Sequence, residues 1–231
     1  MTFMKKTDIF FAAVILALFL PFVFVDSLYE WYKAFNGAHG MIMSFIKFAL
    51  LSTLGEMLGC RISTGKYLTP MFGVLPRMIV WGLLGMGINM AMIIFSKGTP
   101  LFLEYLGYTN AVADFNAAGF SMGKLWVALS VSVAMNTIFA PVFMTLHKIT
   151  DAHIAACGGS LKALVTPIPM ATRFSQINWQ AQWGFVFKKT IPFFWYPAHT
   201  ITFLLPSEQR VLFAALLGIV LGVLLAVASK K

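Results

Sequence analysis

Six runs of apolar residues, at about 9–25, 39–59, 72–95, 124–146, 184–205 and 211–228, constrain this chain more than any other feature. Each approaches or exceeds the roughly 18–20 residues with which a helix crosses the hydrocarbon core of a bilayer. No water reaches that core, so a spanning segment must satisfy its backbone hydrogen bonds within the protein. Composition agrees: 59% of the 231 residues are hydrophobic and 11% are charged, where a soluble domain carries about a quarter charged residues. The expectation is an all-α, polytopic transmembrane helical bundle of about six spans, with interfacial helices in its loops. The first run follows Lys5 and Lys6 as the core of a signal peptide would. It lacks an A-x-A-like cleavage site, however, and carries Pro21 and bulky aromatics near its end, so it reads as a span. No linker or low-complexity segment interrupts the chain. It is expected to form one domain overall, residues 1–38 supplying an extra N-terminal helix and outer loop and residues 39–231 the main bundle.

The net charge of +9 does not point to nucleic acid, because the basic residues stand singly or in pairs between spans. Flanking lysines and anionic headgroups account for that pattern. With both termini inside, the inner flanks hold nine basic residues: Lys5, Lys6, Arg61, Lys66, Lys148, Lys162, Arg173, Lys230 and Lys231. The outer flanks hold four, Lys33, Lys97, Lys124 and Arg210. This excess favours a cytoplasmic side for both termini. The connection 26–38, with Tyr29, Trp31 and Tyr32, fits an outer loop at the headgroup belt. The stretch 97–123 is expected to hold a short interfacial helix.

The segment from Pro192 to Arg210 is aromatic and apolar enough for lipid, yet contains three prolines, His199 and a closing Glu208 and Arg210. Each proline removes a backbone donor, so the segment is expected to be a broken span packed inside the bundle. Other polar groups punctuate the spans. Lys47 stands about 12 Å deep, where a charge costs at least about 2.5–3.5 kcal/mol on insertion scales. It faces protein or a water cavity, or snorkels part of the way outward. Glu56, nine residues on, points to the opposite side of the same helix, and an ion pair with Arg77 is its structural reading. Asn89, Asn136 and His199 add polar groups that serve as interhelical hydrogen-bonding partners or, with Lys47, Glu56 and Lys188, mark a polar track. These six residues are the candidates for lining or gating a pore.

His147, Asp151 and His153 resemble a metal cluster, but nothing in the sequence supplies a fourth ligand, and a hydrated span end is the expected reading. Cys60 and Cys157 lack metal-ligand spacing and would lie near the inner surface as thiols. No phosphate-binding loop, nucleophile elbow or dinucleotide motif is present, so neither catalysis, nor a metal, nor a cofactor is expected. The last span repeats small residues at Ala214, Gly218, Gly222 and Ala226, a ladder for close helix approach to a partner in the same chain or in a second copy.

Several of these segments together resemble the Mpv-seventeen and twenty-two-kilodalton peroxisomal membrane protein family. Leu54-Gly55-Glu56 is similar to its leucine-glycine-aspartate. Arg77 followed by Gly82, Gly85 and Gly87 resembles its arginine-then-glycine helix. Asn136-Thr137-Ile138-Phe139-Ala140-Pro141 resembles its glutamine-x-x-aromatic-alanine-proline stretch. Trp195, Pro197, Ala198, Phe203, Pro206 and Arg210 match its closing signature. The likeness covers roughly residues 41–228. It departs at Tyr196, which separates the tryptophan from the proline, at His199 and Thr202, and in the third span, which lacks the family's glycine-proline and tryptophan-tyrosine pairs. The first span lies outside it.

The resemblance implies structural roles for Arg77, Ala140, Pro141, Trp195, Pro197, Phe203, Pro206 and Arg210. It also implies channel-like passage of small solutes through the bilayer. A bacterial inner membrane is the favoured compartment, or the mitochondrial inner or peroxisomal membrane for a eukaryotic chain. A non-transporting scaffold that uses the glycine ladder as a partner surface, in a homo-oligomer or otherwise, is the alternative.

Overall fold

The computed structural model describes the backbone of residues 5–228 and the side chains of residues 5–224; Lys230, Lys231 and the side chain of Ala226 lie outside the described residues. Every regular element described is helical. The chain divides into two compact units between Met43 and Ser44.

In the first unit, α1 (Lys6–Phe24) is followed directly by α2 (Asp26–Ala38). The Lys5 backbone N–H donates to the Asp8 carboxylate at 2.8 Å, closing the first turn of α1. None of the described residues of α1 is buried, as befits an apolar rod facing hydrocarbon. The stretch expected as an outer loop is itself helical. Glu30 and Lys33 pair across one turn at 2.7 Å, Tyr29 and Tyr32 stack, and Tyr32 meets Phe22 of α1 edge-on at 5.6 Å. Neighbours three apart support a helix that a reading for loop composition does not register.

The second unit contains most of α3 (Gly40–Thr64), followed by α4 (Val74–Tyr105), α5 (Ala111–Asn116), α6 (Met122–Ile138) and α7 (Ala140–Ala156). A 3₁₀ turn (Leu161–Leu164) and the short helices α8 (Met170–Ser175) and α9 (Trp179–Ala181) come next. The chain then runs through a π-helix (Gln182–Trp195) directly into α10 (Tyr196–Leu204), and ends in α11 (Ser207–Ala228). Two glycines of α4 make the closest helix approach. A Cβ on Gly82 would lie 2.4 Å from the Phe45 ring, and one on Gly85 would lie 2.4 Å from Phe48. Phe45 and Phe48, three residues apart on α3, therefore seat in two notches that are themselves three residues apart on α4.

Among the described residues four helices are long and apolar enough to cross a membrane: Lys6–Phe24, Gly40–Thr64, Val74–Tyr105 and Ser207–Leu224. The pair α6–α7 makes a fifth if counted as one span, bent by 45°. Pro141 sits at the first turn of α7, where a proline is tolerated but the preceding helix cannot continue straight through it. The sixth expected span, 184–205, is helical but does not qualify by length and composition, because it is divided into a π-helix and the nine residues of α10. It packs inside the bundle, but the break expected at its prolines is absent: the backbone stays helical through Trp195 and Tyr196 and turns extended only at Leu205. Ala198, His199, Thr200, Thr202 and Phe203 are buried, chiefly against α6. At its junction Ser132 Oγ of α6 donates to the Tyr196 carbonyl at 2.8 Å. Helix α4 runs ten residues past the expected 72–95, with Pro100 inside it. Its 32 residues rise about 48 Å, more than the roughly 30 Å of hydrocarbon, so its last turns project beyond the core.

Candidate functional site

A cavity of about 300 Å³ lies among α3, α4, α6, α7, the π-helix, α10 and α11. Most of its wall is apolar, with Phe48, Trp81, Met135, Phe143 and Leu221 prominent. The small side chains Gly55, Gly59, Ala214, Gly218 and Gly222 open the space on the α3–α11 side.

The polar part of the wall is built from five elements. Glu56 enters from α3, Asn136 from α6, His147 from α7, and Gln182, Thr190 and His199 from the π-helix and α10. The last group depends on the unusual helix. Gln182, Val186, Thr190, Trp195 and His199 all line the cavity, at spacings of four, four, five and four residues. A straight α-helix of 3.6 residues per turn would rotate such a series away from one face. The π-helix closes i→i+5 bonds and puts more residues in each turn, which holds the series in line. Thr190 Oγ1 bonds the Phe185 carbonyl at 3.4 Å within this widened register. Trp195 and His199 stack with ring centroids 5.0 Å apart and planes 15° from parallel.

One end of the cavity is a charge cluster. Arg77 Nη1 donates to Glu56 Oε2 at 2.5 Å and to Asp151 Oδ1 at 2.6 Å. Its Nε donates to the Phe72 carbonyl at 2.6 Å, and its guanidinium lies over the Phe72 ring. His147 Nε2 stands 3.3 Å from Glu56 Oε1 and 3.4 Å from Asp151 Oδ2, with its ring against Trp81 at 4.4 Å. With a protonated imidazole the formal charges cancel; with a neutral one they sum to −1. The ligand atoms of Glu56, His147 and Asp151 lie within 4.8 Å of one another, a spacing that could hold a metal ion. The Arg77 guanidinium already bonds both carboxylates, so a divalent cation would have to displace it or share the site with like charge. The donor set therefore suits an arginine-centred ion cluster rather than a metal.

Several expectations are redistributed by this geometry. Glu56 makes the expected contact with Arg77 and also lines the cavity, as do Asn136 and His199. Lys47 and Asn89 are buried, at 5% and 8% exposure, but neither lines the cavity. Lys188 belongs to neither group: it is exposed, its ammonium 5.9 Å from the Trp183 ring centroid. Alignment of Lys188 with His199 assumes α-helical phase, and the π-helix removes it.

His147, Asp151 and His153 do not form a hydrated set. The first two turn inward to Arg77 and Glu56, whereas His153 is buried with Nε2 3.2 Å from the Ala163 and Thr166 carbonyls. The i, i+4 spacing of His147 and Asp151, facing an already paired Glu56 and Arg77, was the available signal for the cluster.

The residues matched to the family signature have structural contacts. Ala140 and Trp195 line the cavity, and Pro141 and Pro197 occupy the first turns of α7 and α10. Phe203 is fully buried. Pro206 forms the turn into α11, where Arg210 donates to the Leu205 and Phe203 carbonyls at 3.0 and 3.1 Å.

The glycine ladder meets α3 of the same chain. A Cβ on Gly55 would lie 3.0 Å from Ile219, one on Gly59 would lie 3.7 Å from the Gly222 carbonyl, and one on Gly222 would lie 3.7 Å from that of Gly55. Gly55 and Gly59 of α3 thus face Ile219 and Gly222 of α11, a close approach that small residues permit.

No family model matches this sequence, and no curated protein or solved structure is significantly similar to it.

Proposed function

We propose that the protein is a passive, channel-like pathway for small solutes, with the cavity beside Arg77 as its central chamber. The observation that carries this reading is the concentration of unpartnered polar atoms on the cavity wall. Ser52 Oγ, His147 Nδ1, Gln182 Nε2, Trp195 Nε1 and His199 Nδ1 are buried with no hydrogen-bond partner among the described residues. A buried polar atom left unpaired costs about 1–3 kcal/mol, a cost that a polar occupant of the chamber relieves. The volume, about 300 Å³, is at the lower end of small-molecule sites, which suits small solutes of mixed polarity. The resemblance of residues 41–228 to the Mpv-seventeen family supports the same reading, as does the spread of Glu56, Asn136 and His199 over three helical elements. In this proposal both termini face the cytoplasm of a bacterial inner membrane, and a single chain contains the chamber.

Solute flux into vesicles containing the purified full-length protein tests it. Gly218→Leu is the informative variant, because a Cβ there meets nothing within 4 Å while Gly218 lines the chamber. It should slow flux, as should Glu56→Gln, whereas Lys47→Met should leave flux at the wild-type rate. Wild-type vesicles as tight as protein-free ones, or Gly218→Leu vesicles as leaky as wild type, refute the proposal. The tight result would favour the scaffold reading, although the ladder face that reading uses is covered by α3.

A further inference from the structure

We infer that a second pocket, at the other end of the bundle, is a binding site for the phosphate headgroup of an anionic phospholipid. Its volume is about 750 Å³. It lies between the upper part of α4 (Ile93, Ser96, Lys97), the link from α5 to α6 (Phe115 to Lys124), and the turn joining α10 to α11 (Leu204 to Arg210). Three cations line it, Lys97, Lys124 and Arg210, and none of the lining residues is acidic.

Two of the cations are held by neutral acceptors. Lys124 Nζ donates to the Ala117 carbonyl at 2.7 Å. Arg210 gives two of its N–H groups to the Phe203 and Leu205 carbonyls and keeps others for a ligand, since a guanidinium has five. The Arg210 guanidinium also rests over the rings of Phe115 and Phe203, 5.1 and 5.7 Å from their centroids. Carbonyls and rings fix its position, while the nearby Glu208 carboxylate offsets part of its charge. The acidic residues of this end are outside the lining. Glu104 accepts the Val112 N–H, Asp114 accepts the Tyr108 hydroxyl, and Glu208 accepts the Ser207 hydroxyl. The first turns of α6 and α11 begin at the pocket, adding the positive ends of two long helices.

Depth identifies the source of the phosphate. Lys97 stands twenty residues along α4 from Arg77, about 30 Å, which is one hydrocarbon thickness. Lys124 and Arg210 open α6 and α11, so all three cations lie at the ends of membrane-crossing segments, at headgroup level. Phe120, Met122, Trp126 and Ile93 beside the pocket are exposed, a surface for acyl chains. The four outer-flank cations counted from sequence run against the positive-inside trend; three of them are gathered here. A volume of this size also exceeds the need of a lone inorganic phosphate.

Native mass spectrometry of the detergent-purified full chain tests the site, titrating phosphatidylglycerol, phosphatidylcholine and inorganic phosphate separately. Wild type should retain phosphatidylglycerol over phosphatidylcholine, and excess inorganic phosphate should not displace it. The double variant Lys97→Gln, Lys124→Gln should weaken phosphatidylglycerol binding about thirtyfold, at roughly a factor of five for each basic residue. Lys97→Gln alone, an exposed position, should weaken it about fivefold while the fold is untouched. Lys188→Gln with Lys189→Gln, which removes two exposed cations elsewhere, should leave binding unchanged. Equal retention of the two lipids overturns the inference, as does an equal loss in the Lys188/Lys189 variant. Displacement by inorganic phosphate would make it a site for the free anion and overturn the lipid assignment.

Discussion

Removing the Arg77 guanidinium should destabilise the protein far more than removing the whole charge cluster. Arg77 Nη1 is 2.5 Å from Glu56 and 2.6 Å from Asp151, with the three side chains only 12%, 20% and 23% exposed. At an effective dielectric of about 20, each contact carries roughly 6 kcal/mol of gross attraction, most of it offset by the cost of taking the ions out of water. Deleting one partner of such a group leaves the others uncompensated, at a cost of about 3–5 kcal/mol. In Arg77→Met two carboxylates would face each other with only His147 between them. Partial exposure places the cost near the lower figure. For a chain of this length about 3 kcal/mol corresponds to a fall in Tm of roughly 6–12 °C. The triple variant Arg77→Met, Glu56→Gln, Asp151→Asn removes all three charges and should recover most of that loss, because a buried ion cluster is near neutral against an uncharged replacement. Thermal unfolding in detergent, followed by tryptophan fluorescence, measures both. A single variant within 2 °C of wild type, or a triple no more stable than the single, would show that the cluster is not held by charge compensation.

Gly85→Ala should destabilise by about 1–3 kcal/mol, since its Cβ would stand 2.4 Å from Phe48 and an overfilled contact costs that much. Gly87→Ala, with nothing within 4 Å, should be neutral or gain up to about 1 kcal/mol from helix propensity; the same unfolding assay ranks the two. In a background where Cys60 and Cys157 are serine, Lys188→Cys should react with a water-soluble maleimide at least about tenfold faster than Asn136→Cys, because Lys188 is exposed and Asn136 is buried.

The chamber and the charge cluster illustrate how two kinds of polar group are tolerated among apolar helices. Around Arg77 every charge meets an opposite charge or a carbonyl, and the cluster acts as an electrostatic tie joining α3, α4 and α7. Along the π-helix and α10, Gln182 Nε2, Trp195 Nε1 and His199 Nδ1 are instead left over. That contrast separates a structural part of the site, at Arg77, from an adaptable part, at Gln182, Trp195 and His199.

Much of this architecture follows from local chemistry. The cost of placing a side chain in hydrocarbon accumulates residue by residue along a run, so the apolar segments and their helical state can be read without knowing any neighbour. The bend at Pro141 inside the expected 124–146 span is not among those readings. The Glu56–Arg77 pair is likewise readable, because a charge near a span end needs a counter-charge and few are within reach. Other features depend on how helices rotate about their axes and which faces meet. The ladder on α11 could serve any close-packed helix, and packing selected Gly55 and Gly59. The phase of Lys188 relative to His199 changed because a π-helix replaced an α-helix. Lys97, Lys124 and Arg210, far apart in the chain, became one basic pocket because the packing brings the starts of α6 and α11 beside the later turns of α4. Such pairings are set by relative free energies of whole packing arrangements, to which no single segment holds the key.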